Sequence, residues 1–258
     1  MQRPYVRLLA SVAIAAALAL GGCSTTTGPL SDVTGSVASA PRTEAEWRQE
    51  MAVWGERYRA NPGDAEASIR YAQALRAVGQ RTQAAAVLEQ SAIRNPDDRS
   101  VLGAYGRALA DTGNYGQALE VLNRAHTPDQ PDWRILSVQG AVLDQMGRHD
   151  EARRYYASAL RLAPDEPSVL SNLGLSYALS KDLKQAEATL RRATADGRID
   201  PRVRQNLALV VGLQGRFAEA ETIARADLPP EEAAANVAYL RQMLAHPKGI
   251  AKLPHPTT

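Results

Sequence analysis

The chain has 258 residues, room for one or two ordinary domains, and is 45% apolar but only 5% aromatic. Alanine and leucine interleaved with glutamine, arginine and glutamate favour helix over sheet. Its 30 basic residues stand against 28 acidic ones, and no basic stripe stands out, so the counterion-release drive for nucleic-acid binding is missing. A single cysteine excludes an internal disulfide.

Residues 1–22 read as an export signal. Arg3 and Arg7 precede an apolar run from Leu8 to Leu20, followed by small residues. The run is about 13 residues, short of the roughly 20 that a spanning helix needs. Its end, Leu20-Gly21-Gly22-Cys23, resembles the lipobox of bacterial lipoproteins. That resemblance implies that Cys23 is acylated and becomes the first mature residue. Ser24 in place of aspartate implies an outer-membrane destination facing the periplasm. Losing Arg3 and Arg7 leaves 28 basic residues against 28 acidic ones. Acyl chains, at about 0.8 kcal/mol per buried methylene, would therefore hold the protein at a membrane in place of charge.

Residues 23–42 are rich in Ser, Thr and Gly and lack large apolar side chains, so they form a flexible tether of about 25 Å mean reach. Residues 43–62 form an amphipathic helix. Thr43 and Glu46 make a capping box, Trp47, Met51, Trp54 and Tyr58 form one stripe, and Asn61-Pro62 ends it. The stripe is expected to seal the first repeat; a partner-binding face is the alternative.

Residues 63–228 repeat every 34 residues, with units beginning at Ala65, Arg99, Trp133, Pro167 and Pro201. The eighth residues are all small: Ala72, Gly106, Gly140, Gly174 and Ala208. The twentieth are all alanine: Ala84, Ala118, Ala152, Ala186 and Ala220. Two antiparallel helices approach closely only where one presents Gly or Ala to the other. Leu75, Leu109, Leu143, Tyr177 and Val211 form an apolar column, and Gly79, Gly113, Gly147 and Gly215 mark inter-helix turns. Lys181 takes the turn position of the fourth unit and predicts a different hairpin there. Ser68 and Arg204 replace Leu102, Leu136 and Leu170, and Asp227 replaces Ala125, Ala159 and Ala193, as terminal units of solenoids tend to do. These columns resemble the tetratricopeptide pattern. They imply an all-α solenoid of about five helical hairpins with flanking N- and C-terminal helices.

Residues 229–246 read as a closing helix, with Pro230 in the first turn, Glu231 and Glu232 at its positive end, and Ala233, Val237, Leu240 and Leu244 in one stripe. Residues 247–258 are a short proline-bearing tail.

No catalytic chemistry is legible. His126, His149, His246 and His255 form no ligand spacing, and no nucleophile motif or phosphate loop occurs. Glu120, Asp144 and Glu187 read as helix-surface carboxylates. Neither metal, cofactor, small-molecule substrate nor nucleic acid is expected. What remains is surface. In tetratricopeptide stacks the first helices line a groove that receives a peptide or helix. By register that groove comprises Arg70, Gln73, Arg76, Arg107, Arg134, Ser171, Leu175, Leu179, Gln205, Leu209 and Leu213, basic at first and apolar later. Burial of the leucines under the closing helix is the alternative. Chaperone-type capture of a terminal carboxylate is not implied, because Ile69, Gln73, Ala104, Arg134 and Val138 stand where its clamp residues would be.

Lipobox, tether, repeats and a closing helix reading Asn236-Val237-Ala238-Tyr239-Leu240-Arg241-Gln242-Met243-Leu244 together resemble the TadD proteins of Flp (Tad) pilus assembly. The resemblance implies a lipid-anchored scaffold that assists assembly or placement of the pilus secretin. The alternative is a periplasmic lipoprotein adaptor that brings a protease or cell-wall hydrolase to its substrate.

Overall fold

A computed structural model describes residues 43–195 and 200–245. The expected signal, the lipobox with Cys23, the tether, His246, His255 and the tail lie outside the described residues. Every regular element among those residues is a helix. In chain order they are α1 (Glu44–Ala60), α2 (Ala65–Ala77), α3 (Arg81–Arg94), α4 (Arg99–Asp111), α5 (Tyr115–Arg124), α6 (Trp133–Gln145), α7 (His149–Leu162), α8 (Pro167–Leu179), α9 (Leu183–Ala193), α10 (Pro201–Leu213), α11 (Phe217–Ala224) and α12 (Pro230–Ala245). The chain divides into two compact units, Met1–Asn114 and Tyr115–Thr258.

The first helices of the repeats, α2, α4, α6, α8 and α10, are each 13 residues long and begin at the expected residues. An acidic N-cap starts each one. Asp64 accepts from the Ala67 N–H at 3.1 Å, Asp98 from Val101 at 3.1 Å, Asp132 from Arg134 at 2.7 Å, Glu166 from Ser168 at 3.4 Å and Asp200 from Arg202 at 2.8 Å. Each carboxylate satisfies a donor that the helix leaves open and puts negative charge at its positive end, an effect of about 1 kcal/mol per helix.

The turns that end these helices are also alike. Gly79, Gly113, Gly147 and Gly215 have φ between 77 and 84°. The following residue donates back across the turn, as in Gln80 N–H to Leu75 O at 2.8 Å and Arg148 N–H to Leu143 O at 2.9 Å, so orphan carbonyls are satisfied. Lys181 does not change the hairpin as its side chain led us to expect. It adopts φ 66°, and Asp182 N–H donates to Tyr177 O at 2.9 Å. The backbone bond dictates the turn, and the lysine takes a left-handed conformation that costs an L-residue about 1 to 2 kcal/mol.

In the first unit α1 carries the expected capping box, with Glu46 N–H donating to Thr43 Oγ1 at 3.3 Å and Thr43 N–H to Glu46 Oε2 at 2.6 Å. It packs on α2, where Gly55 lies against Tyr71 and the Tyr58 and Tyr71 rings are 5.7 Å apart. Trp47, Met51, Trp54 and Tyr58 are half-buried there. The α2–α3 hairpin closes over Ala72 and Ala84, both sealed from solvent, and α3 then packs on α4.

In the second unit α6–α7, α8–α9 and α10–α11 form hairpins, stacked through α7–α8 and α9–α10. The close approaches are severe. A methyl on Gly140 would sit 2.6 Å from Tyr156 Cε1, and one on Gly174 would sit 2.6 Å from Leu190 Cγ. Ala118, Ala152, Ala186 and Ala220 are fully buried. The closing helix α12 packs on α10 and α11, burying Ala233, Val237 and Leu240, and a methyl on Gly212 would meet Leu240 Cδ2 at 2.5 Å. The expected stripe stops at Leu240, because Leu244 is 43% exposed.

Lys181→Gly is expected to raise the unfolding free energy by about 1 kcal/mol, seen as a higher urea midpoint at constant slope. An unchanged or lower midpoint would contradict the strained turn.

Candidate functional site

The register residues were assigned to one wall of first helices, and the structure separates them into three groups. In the first unit Arg70 and Gln73 on α2 and Arg107 on α4 are exposed, and Arg76 is half-buried with its Nε donating to Asp111. Trp54 of α1 has the Arg57 guanidinium 4.6 Å from its ring centroid and that of Arg70 at 5.9 Å. In the second unit Arg134 is exposed and covers Trp133 at 4.4 Å, while Leu175, Leu179, Gln205, Leu209 and Leu213 are half-buried. Ser171 forms the third group and is a correction, since it is only 6% exposed.

Ser171 joins adjacent helices. Its Oγ accepts from Asn206 Nδ2 at 3.0 Å, and one unit earlier Ser137 Oγ accepts from Asn172 Nδ2 at 3.1 Å. These two bonds pin α6 to α8 and α8 to α10. Their signal was present in the sequence, because Ser137 and Ser171, like Asn172 and Asn206, are 34 residues apart.

The four leucines behave differently. Leu175 and Leu209 are related by one repeat, as are Leu179 and Leu213. The contacts of α12 with α10 run through Ala208 and Gly212. Leu209 and Leu213 stand one residue, or about 100°, further round that helix and outside the buried core. Both remain half-buried.

Two carboxylates read as surface groups are structural. Asp144 on α6 is 5% exposed and accepts from His149 Nδ1 at 2.8 Å, Tyr156 Oη at 2.9 Å and Ser176 Oγ at 2.8 Å. It ties together three helices, with every donor aimed at one buried charge. Burial, then the Asp144 charge and hydrogen bond, push the Tyr156 phenol well above its ordinary range, so it remains a donor. His149 is the first residue of α7 and half-buried. Glu187 on α9 accepts from Arg191 at 2.9 Å, Gln214 at 2.8 Å and Arg216 at 2.7 Å. Burial alone would raise its pKa, but these hydrogen bonds outweigh it and hold the carboxyl below its usual value. Glu120 is exposed as expected. His126 is half-buried with Nε2 3.2 Å from Gln139 Oε1, and Gln139 in turn donates to Asn123 at 2.8 Å.

The two departures in the fifth unit explain each other. Leu170 and Ala193 pack in one buried cluster, as Leu136 and Ala159 do one unit earlier. Their equivalents Arg204 and Asp227 form an ion pair whose side chains are 20% and 13% exposed. An apolar contact has become a charged one at the same place. In the first unit Ser68 and Ser91 fill these columns, both fully buried.

Among the described residues no group of three or more His, Cys, Asp or Glu could hold a metal ion. The arrangement offers a basic, polar face in one unit and a leucine face in the other.

Tetratricopeptide-repeat family models match residues 69–132, 145–210 and 201–226. No curated protein matches the chain. Among solved structures, PilW, titled a widely conserved type IV pilus biogenesis factor, is similar with a TM-score of 0.64 at 17% identity, covering 75% of this chain and 91% of that chain. A thermophilic tetratricopeptide protein of Thermus thermophilus gives 0.61 at 23% identity, covering 69% and 100%. PilF of Pseudomonas aeruginosa gives 0.51 at 17% identity, covering 80% and 87%. At these identities the likeness shows the shared fold.

Arg204→Leu alone strands the Asp227 carboxylate, and Asp227→Ala alone strands the guanidinium. Each is expected to lower stability by about 2 to 3 kcal/mol, whereas the double change, which recreates the Leu–Ala contact, should fall within about 1 kcal/mol of the parent. Losses that simply add in denaturant unfolding would contradict the pairing.

Proposed function

The chain belongs to the tetratricopeptide-repeat proteins, and from that premise we propose that it is a lipid-anchored scaffold of the outer membrane. It faces the periplasm and holds a component of the pilus-assembly machinery. The secretin subunit is the client that its resemblance to the TadD proteins implies. Cys23 supplies the anchor, residues 24–42 the reach, and the repeats the grip. PilW, a type IV pilus biogenesis factor, and PilF share the fold; the assignment itself rests on the lipobox, the repeats and the closing helix.

The observation that carries the binding role is the leucine face. Leu175, Leu179, Leu209 and Leu213 repeat at the period of the fold, lie on first helices and remain half-buried. Apolar side chains kept partly open at a fixed repeat position suit a partner helix better than solvent. Ser171 nearby already serves packing, so the leucines are the apolar surface left for a client.

Leu175→Glu with Leu209→Glu is expected to abolish capture of the secretin in crosslinking and pull-down while helicity by circular dichroism is retained. Undiminished capture would overturn the leucine face as the grip. Cys23→Ser is expected to leave a folded protein and move it from the membrane fraction to the soluble fraction, and unchanged fractionation would refute the anchor.

A further inference from the structure

The basic face of the first unit has a different chemistry from the leucine face and takes a different part of a partner. Arg107 projects from α4, is solvent-exposed, and has neither a hydrogen bond nor a salt bridge among the described residues. Its near neighbours in charge are Arg76 across from it on α2 and Asp111 one turn on. Asp111 is already engaged by Arg76. Lost hydration first, then the Arg76 charge, disfavours the charged form of Arg107, with Asp111 acting against both. A guanidinium keeps its charge at ordinary pH, so Arg107 stands as an exposed cation open to an incoming anion.

The cationic character extends along α2 to α1. Arg70 is exposed beside Trp54, and its pairing with Glu66 is loose at 3.8 Å with both side chains largely in solvent. Arg57 covers the same indole. Stacking fixes a guanidinium plane while leaving its N–H edge open. Arg76 and Arg107 thus share the single carboxylate of Asp111, while around Trp54 the guanidinium groups of Arg57 and Arg70 stand among the carboxylates of Glu46, Glu50 and Glu66.

We infer that the first unit binds an acidic stretch of a partner polypeptide, with Arg107 receiving a side-chain carboxylate. This rests on the scaffold reading above and names the chemistry of a second contact on the same client. Asp111 acts as a positioning residue by holding Arg76, so that Arg107 is the group left to accept an incoming anion. Gln73, exposed between Arg70 and Arg76 on α2, offers both a donor and an acceptor to the backbone of the bound stretch.

The test uses the full chain and a fluorescein-labelled hexaglutamate peptide, with binding followed by anisotropy at 20 mM and 300 mM salt. Parent protein is expected to bind at low salt and weaken steeply at high salt. Arg107→Gln is expected to weaken low-salt binding about tenfold, as loss of a charge-assisted contact should. Lys184→Gln, which removes one exposed positive charge from the second unit, is expected to leave binding unchanged. Equal binding by the parent and Arg107→Gln, or no binding by the parent at 20 mM salt, overturns the inference. So does Arg107-dependent association with phosphatidylglycerol vesicles without peptide binding, since the face would then read membrane and not protein. Failure here with secretin capture still dependent on Leu175 and Leu209 removes the acidic contact alone and leaves the scaffold standing.

Discussion

The structure depends on how closely two helices of a hairpin can approach. At Gly140 and Gly174 there is no room for one additional carbon: the side chains opposite, Tyr156 and Leu190, already occupy it. The alanines at the twentieth position are without exception sealed from solvent. Because interiors are packed to crystal-like density, a larger residue must move a helix, and the displaced helix is itself half of the contact with the next repeat. The acid caps and the left-handed turns decide where each helix begins and ends. The small columns decide how far apart the helices lie.

Much of this was legible because a repeat writes the same requirement several times. One buried alanine is ambiguous, whereas Ala84, Ala118, Ala152, Ala186 and Ala220 at one spacing are a packing rule. Each first helix begins where its repeat was expected to begin, for the same reason. What escaped notice obeyed other constraints. The acid caps lie just outside the helices and vary between aspartate and glutamate, so a search for apolar and small positions passes over them. Asp144 looks like any helix carboxylate until the fold brings His149, Tyr156 and Ser176 to it from 5, 12 and 32 residues away. Lys181 misled because its side chain was weighed, when the turn is dictated by backbone hydrogen bonds.

The candidate surface was legible by register but not by burial. Periodicity assigns Ser171 and Leu175 to the same wall, yet Asn206 claims Ser171 for a helix–helix bond and leaves Leu175 partly open. Arg204 and Asp227 make the same point from the other side. Each reads alone as a terminal irregularity, and only contact reveals that they substitute jointly for a leucine and an alanine. Such a pair is costly to break singly and inexpensive to replace together, so apparent exceptions to the repeat preserve its geometry. The remaining free chemistry is a leucine face in one unit and exposed guanidinium groups in the other.

The central claim is that the buried alanine column sets helix spacing, and a comparative urea-unfolding series tests it most directly. Leucine would be placed singly at Ala84, Ala118, Ala152, Ala186 and Ala220, and as controls at the exposed Ala77, Ala157 and Ala188. The account predicts a loss of about 1 to 3 kcal/mol at every column position and changes within about 0.5 kcal/mol at the controls. Column leucines as harmless as those at the controls would contradict it.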